Sequence, residues 1–183
     1  MAKIFVISAP SGAGKKTIRE RMMRDIPELR YSISMTTRAP RAEDIPGVTY
    51  DFVTQEEFEA AIAREEFIEW SFHLGNYYGT PRKAVEQHIA NGEDVLLEID
   101  TNGARYILKH YPKAVGIFIV SDNLERQLGE RGTESPAEIA ERLEKAKREM
   151  EESAMYKYKV VNRYGDLESA VAECEEIIKK ERN

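Results

Sequence analysis

Ile4-Phe5-Val6-Ile7-Ser8-Ala9-Pro10-Ser11-Gly12-Ala13-Gly14-Lys15-Lys16-Thr17-Ile18 runs from an apolar stretch through a glycine-containing turn into a helical pattern. That order predicts strand, turn and helix. Glycines at 12 and 14 let the backbone curl so that successive N–H groups point inward, and the helix that follows aims its positive end at the same point. Lys15, directly after the second glycine, adds a fixed positive charge. The concavity reads as a cradle for a nucleoside triphosphate, with Ser11, Gly12, Ala13, Gly14, Lys15, Lys16 and Thr17 around the phosphates.

The stretch departs from the pattern G-x-x-x-x-G-K-[ST], because Ala9 stands in the first defined position and Lys16 in the last. Alanine is tolerated wherever φ stays negative. Lys16 is the larger change: an ammonium replaces the hydroxyl that usually touches Mg²⁺, and an ammonium cannot ligate a metal. Thr17, one place later, is the alternative hydroxyl. An ordinary tight turn is the competing reading.

Composition sets the frame for this cradle. With 183 residues, 42% hydrophobic and 33% charged, the chain suits a single globular domain with a sizeable core. A net charge of −6 argues against binding a nucleic-acid duplex through its phosphates, so an anion site has to be local. The longest apolar run lies near Val115 to Val120, far short of the ~20 residues of a membrane span, and the N-terminal residues have no signal-peptide pattern. A cytoplasmic location is expected. The lone cysteine, Cys174, cannot form an internal disulfide and falls on the apolar side of the last helical pattern. The histidines His73, His88 and His110 have no metal-ligand spacing.

Apolar runs at Ile4 to Ile7, Val95 to Ile99, Val115 to Val120 and Val160 to Val161 alternate with helical patterns. Such alternation predicts an α/β fold with a parallel central sheet covered on both faces. Thr54 with Glu57 and Ser135 with Glu138 read as capping boxes, Pro81 and Pro136 as first helical residues, and Asn91-Gly92 as a helix stop. Leu167, Ala170, Val171, Cys174, Ile177 and Ile178 mark an amphipathic last helix. Between Tyr31 and Thr80 the pattern changes to short strands (Tyr31 to Met35, Tyr50 to Val53, Phe67 to Phe72) around one helix, Thr54 to Arg64, which predicts a small mixed insert. Gly129 to Ser135 is a charged, glycine-containing loop suited to a mobile lid.

The insert carries a second candidate site in Thr36-Thr37-Arg38-Ala39-Pro40-Arg41. Pro40 favours an extended Ala39, and residues three apart in an extended segment share a face, so Arg38 and Arg41 converge. Two guanidiniums bind a phosphate, and Tyr50 or Tyr78 can add a phenolic hydrogen bond. Phe67-Ile68-Glu69-Trp70 places a carboxylate in an apolar strand, where it needs donors. The edge of guanine supplies two side by side. Asp100, at the carboxyl edge of the sheet, faces either the base or a metal; for both acids a helix cap or ion pair is the plainer alternative.

Taken together, these motifs resemble those of the guanylate kinases, over nearly the whole chain. The likeness lies in the loop from Ser8 to Lys15, in Thr36 to Arg41 with Tyr50, in Phe67 to Thr80, and in Leu97-Glu98-Ile99-Asp100, Arg131-Gly132-Thr133-Glu134 and Val160-Val161-Asn162. The resemblance implies a three-layer phosphate-loop kinase fold with core 1–32, 81–120 and 151–183, a GMP-binding insert 33–80 and a lid region 121–150. It implies phosphoryl transfer from ATP to GMP with Mg²⁺, in a monomer or homodimer. Arg38, Arg41, Tyr50 and Tyr78 would hold the GMP phosphate; Ser34, Glu69, Thr80 and Asp100 would read guanine or support the groups that do. Lys15 would bridge the ATP phosphates, Arg131 and Arg142 would cover the transferring phosphoryl group, and Asn162 would lie near adenine. By analogy with related kinases carrying Gly-Lys-Gly-Thr, the metal would be held through water, with Thr17 as the nearby hydroxyl.

The chain also differs from the family pattern. Lys16 stands after the loop lysine, Asn123 to Leu128 is about one helical turn short, and Arg163 follows Asn162 where an acid is usual. Lys16 sustains a rival reading, a guanylate-kinase-like binding domain with weakened catalysis.

Overall fold

The structure is a computed structural model that describes residues 2–10, 12–42, 44–73, 75–124 and 136–182, with backbone alone for 136–139, 141 and 142. The apolar runs form strands β1 (Ile4–Ser8), β2 (Leu29–Tyr31), β7 (Asp94–Glu98), β8 (Val115–Ser121) and β9 (Tyr158–Asn162). They build one parallel sheet in the order β2-β7-β1-β8-β9.

Because side chains alternate across a strand, each strand feeds two cores. Phe5 and Ile7 point to one face, where helices α1 (Lys15–Asp25) and α6 (Leu167–Arg182) bring Ile18, Met22, Ala170, Cys174 and Ile178. Ile4 and Val6 point to the other, where α3 (Arg82–Ala90) and α4 (Thr101–His110) bring Val85, Ala104 and Ile107 against Val95, Leu97 and Phe118. The result is a three-layer sandwich. Each fully buried Ile, Leu or Phe contributes about 1.5–3 kcal/mol relative to exposure. Cys174 is a buried core residue, and burial pushes its thiol up to about 12.

Adjacent strands β1 and β7 send their following helices, α1 and α4, to opposite faces of the sheet. Their C-terminal loops therefore diverge and leave a crevice, the place where ligands of open α/β sheets bind.

A second sheet, in the order β4-β3-β6-β5, is built from β3 (Met35–Thr36), β4 (Asp51–Phe52), β5 (Phe67–His73) and β6 (Asn76–Pro81). Helix α2 (Gln55–Ala63) closes it by stacking Phe58 on Phe67 and Tyr77, with ring centroids 4.4 and 5.1 Å apart. Gly79 is required there, since a Cβ would meet the Phe67 and Phe58 rings at 2.8 and 2.9 Å. Thr54 and Glu57 form the expected reciprocal capping box, and Asn91-Gly92 ends α3 with Gly92 at φ +80°.

Two local expectations are revised and a third falls outside the described residues. The single strand expected from Tyr31 to Met35 is two: β2 pairs with β7 in the main sheet, then the chain leaves after Ser32 and β3 pairs with β6 in the small one. Pro81 is not the first helical residue. It remains paired with Phe67 at the end of β6, and its ψ of 121° makes it the cap before Arg82. The loop Gly129 to Ser135, and with it the expected Ser135 cap, lies outside the described residues; helix α5 (Pro136–Glu152) does begin at Pro136.

Candidate active site

A cavity of about 400 Å³ fills the crevice between β1 and β7. Gly12 to Thr17 form one wall, and Ser34, Arg41, Tyr50, Glu69 and Tyr78 line the opposite side. Glu98 and Asp100 come from the end of β7, and Lys145 and Glu149 from α5. The two sites expected separately from sequence thus share one space.

The phosphate loop is shaped by its glycines. Gly12 and Gly14 take φ of +95° and +81°, and Gly14 caps α1 without a side-chain hydrogen bond, leaving the first N–H groups of the helix for a ligand. Asn162, buried at the end of β9, donates its side-chain amide to the Ala13 carbonyl at 3.0 Å. A Cβ on Gly14 would come within 2.5 Å of that amide nitrogen. Asn162 therefore supports the loop from behind and is not among the residues that line the cavity. Lys15 Nζ lies 4.0 Å from Glu98 Oε1, and Arg19 Nε lies 2.7 Å from Glu98 Oε2 while its guanidinium covers the Tyr31 ring at 4.5 Å.

On the opposite side, Glu69 is only 5% exposed, and Thr80 Oγ1 donates to its Oε1 at 2.5 Å. Burial dominates over this bond, with Asp100 adding repulsion, and pushes the Glu69 carboxyl up to about 7. Gly103 packs against the other carboxylate oxygen so closely that a Cβ would overlap it. Thr80 is fully buried and serves Glu69 from behind. Asp100 is the helix cap that was the plainer alternative for it, and it also lines the cavity: Oδ1 accepts from the Gly103 N–H at the start of α4 and Oδ2 accepts from Ser71 Oγ, each at 2.8 Å.

The expected convergence of the Arg38 and Arg41 guanidiniums is not what the structure shows: Asp44, a residue the sequence reading passed over, engages the Arg38 guanidinium but only the backbone of Arg41. Asp44 Oδ2 lies 2.9 Å from Arg38 Nη2 and accepts from the Arg41 backbone N–H at 2.7 Å. Arg38 also covers the Tyr50 and Phe52 rings at 5.4 and 5.6 Å. Its guanidinium is engaged there, and Arg38 is not part of the cavity lining, whereas Arg41 is. Tyr50 and Tyr78 meet edge to face at 6.0 Å, and burial pushes the Tyr50 phenol up to about 12. The Tyr50 phenol is thus a neutral donor at physiological pH.

Further lining residues escaped the sequence reading. Ser71 and Glu98 sit on strands at positions that only sheet topology brings to the crevice. Lys145 Nζ lies 2.7 Å from His73 Nε2 and 3.5 Å from Glu149 Oε1. Burial, then the Lys145 charge, pulls the His73 pKa down. Ser11 and Arg131 lie outside the described residues, as does the side chain of Arg142 in α5.

Among the described residues no group of three or more His, Cys, Asp or Glu side chains is arranged to hold a metal ion. The donor set, Thr17 and Asp100 in the lining, fits an Mg²⁺ that arrives on nucleotide phosphates and keeps its waters, not a protein-caged ion.

A parallel sheet with a phosphate loop at its crevice, and a second carboxylate- and arginine-bearing wall across the same cavity, defines a phosphate-loop nucleotide kinase. A family profile described as guanylate kinase matches residues 1–181. A guanylate kinase of Symbiobacterium thermophilum is 43% identical over 182 residues, covering 98% of this chain and 85% of the relative. One from a Synechocystis strain is 42% identical over 98% of this chain and 94% of its own length. The crystal structure of a guanylate kinase from Anaplasma phagocytophilum superimposes with a TM-score of 0.80 at 30% identity, covering 98% of this chain and 86% of that one. The chain belongs to the guanylate kinase family.

Proposed function

We propose that this chain transfers the γ-phosphoryl group of ATP to GMP, and to dGMP, giving ADP and the nucleoside diphosphate. The observation that carries the reading is the shared cavity, with the phosphate loop on one wall and Glu69, Arg41, Tyr50 and Tyr78 on the other. An ionised Glu69 accepts the ring N–H and the exocyclic amine of guanine together; adenine offers no such pair. Ser34, Thr80 and Asp100 orient that carboxylate and the base. Arg38, Arg41, Tyr50 and Tyr78 hold the GMP phosphate, for which Arg38 exchanges Asp44 for the ligand.

A GMP phosphate oxygen attacks the γ-phosphorus, the bond to the β–γ bridging oxygen breaks, and that oxygen leaves with ADP. The attacking group is already an anion, so no general base is needed. Catalysis is alignment and charge neutralisation. Lys15 and the loop N–H groups, with Ser11 to Thr17, take the ATP phosphates, and Arg131 and Arg142 cover the transferring group. Asn162 holds the loop in shape. Thr17 would be the hydroxyl nearest a bound Mg²⁺, which would supply charge neutralisation on the nucleotide phosphates.

The assigned groups come from one chain, so the reading does not require a second copy in a dimer. None of the described helices is long and apolar enough to cross a membrane, which supports a cytoplasmic setting. The test is ADP release with ATP and Mg²⁺, using GMP, AMP, CMP and UMP in turn. Turnover with GMP alone is expected; silence with all four, despite GMP binding by calorimetry, would favour the lapsed binding domain.

A further inference from the structure

Among the described residues, the cavity lining holds four carboxylates, Glu69, Glu98, Asp100 and Glu149. It also holds four cationic side chains, Lys15, Lys16, Arg41 and Lys145. On the phosphate-loop side the cations are not equivalent. Lys15 lies 4.0 Å from Glu98, and Lys145 lies 3.5 Å from Glu149. Lys16, the second residue of α1, lines the cavity with an exposed side chain and has no hydrogen bond or ion pair to any described residue. Among the described lining residues it is the cation on that side with no carboxylate partner, in a cavity that has to accept a polyanion.

We propose that Lys16 is a polyphosphate-binding residue that does on this chain part of the charge neutralisation a divalent ion does elsewhere, so that ATP without metal binds nearly as well as its Mg²⁺ complex. The inference rests on the ATP reading above and deepens it. A hydroxyl at this position would ligate the ion; an ammonium instead meets phosphate oxygens directly and repels a cation placed on the same oxygens. One charge-assisted hydrogen bond, worth about 1.5–3 kcal/mol, corresponds to roughly tenfold or more in affinity. Lys16 thus takes part of the phosphate charge that the ion would otherwise neutralise alone.

The experiment is calorimetric titration of ATP into the full chain in EDTA and in excess Mg²⁺, for the wild type, Lys16→Ser and Lys16→Met. Lys16 is exposed, so the variants should fold, and coincident thermal melts check that they do. The wild-type Kd is expected to change less than about threefold between the two conditions. Both variants should lose roughly tenfold in EDTA. Mg²⁺ should restore Lys16→Ser, which regains a ligating hydroxyl, more fully than Lys16→Met. Equal metal-free affinities of the wild type and Lys16→Ser would overturn the role of Lys16 while leaving the ATP site intact. Failure of the wild type to bind ATP in either condition would overturn both.

Discussion

Thr80 Oγ1 donates to Glu69 Oε1 across the β5–β6 hairpin, from the residue directly opposite it in the strand register. The bond holds a buried carboxylate in the cavity wall without fully offsetting its burial, and the carboxyl stays up at about 7. Guanine reading needs the ionised form. GMP affinity should therefore fall as pH drops below about 7, approaching tenfold per unit once Glu69 is mostly protonated. Calorimetric titration of GMP between pH 5.5 and 8.5 checks this, and Glu69→Gln, weaker throughout, should lose that step.

The same shift makes a statement about stability. A carboxyl raised from an unfolded value of 4.5 to about 7 gives a contribution that is fully present below 4.5 and lost as pH rises through 7, because the folded state binds the proton more tightly. Glu69→Gln removes the titration. Its Tm relative to wild type should become more favourable from pH 5 to pH 8.5, measured by scanning calorimetry; a constant difference would show that burial does not raise the Glu69 pKa.

Gly103 caps onto Asp100 through its N–H and packs against the Glu69 carboxylate through its Cα. A methyl group there has to displace a buried carboxylate. Gly103→Ala should cost about 1–3 kcal/mol in stability and raise the KM for GMP while leaving the KM for ATP near its original value. Urea unfolding and steady-state kinetics read the two effects.

Asn162 makes the complementary prediction on the other wall. Its amide holds the Ala13 carbonyl, 149 residues away in sequence, and sits against Gly14. Asn162→Ala leaves that carbonyl without its side-chain donor and frees the loop, at a cost of about 1–3 kcal/mol. The KM for ATP should rise severalfold and that for GMP should not. A change in the GMP constant alone would contradict a loop-supporting role.

The fold was legible because its signals are local. The run Ile4 to Ile7, the glycines at 12 and 14, the Thr54–Glu57 box and the periodicity of α6 each state their own conformation. Split strands were harder: nothing between Tyr31 and Met35 announces that β2 and β3 belong to different sheets, since the break is set by partners far along the chain. Motif-borne site residues such as Arg41, Glu69 and Tyr78 do reach the cavity. Those that escaped, Glu98, Asp44 and Gly103, act by touching Lys15, Arg38 and Glu69, and contacts of that kind depend on three-dimensional register. Asn162 was found, yet its side chain faces the loop from below, a direction that the residue order alone does not encode.

The central claim is that the Glu69 carboxylate reads guanine in the shared cavity. Its most direct test is kcat/KM for GMP and for IMP, which keeps the ring N–H but lacks the exocyclic amine, on wild type and Glu69→Gln. The account predicts that wild type prefers GMP by at least tenfold and that Glu69→Gln lowers GMP turnover far more than IMP turnover, collapsing the preference. Equal losses for both acceptors, with the preference intact, would contradict it and place the guanine-reading group elsewhere.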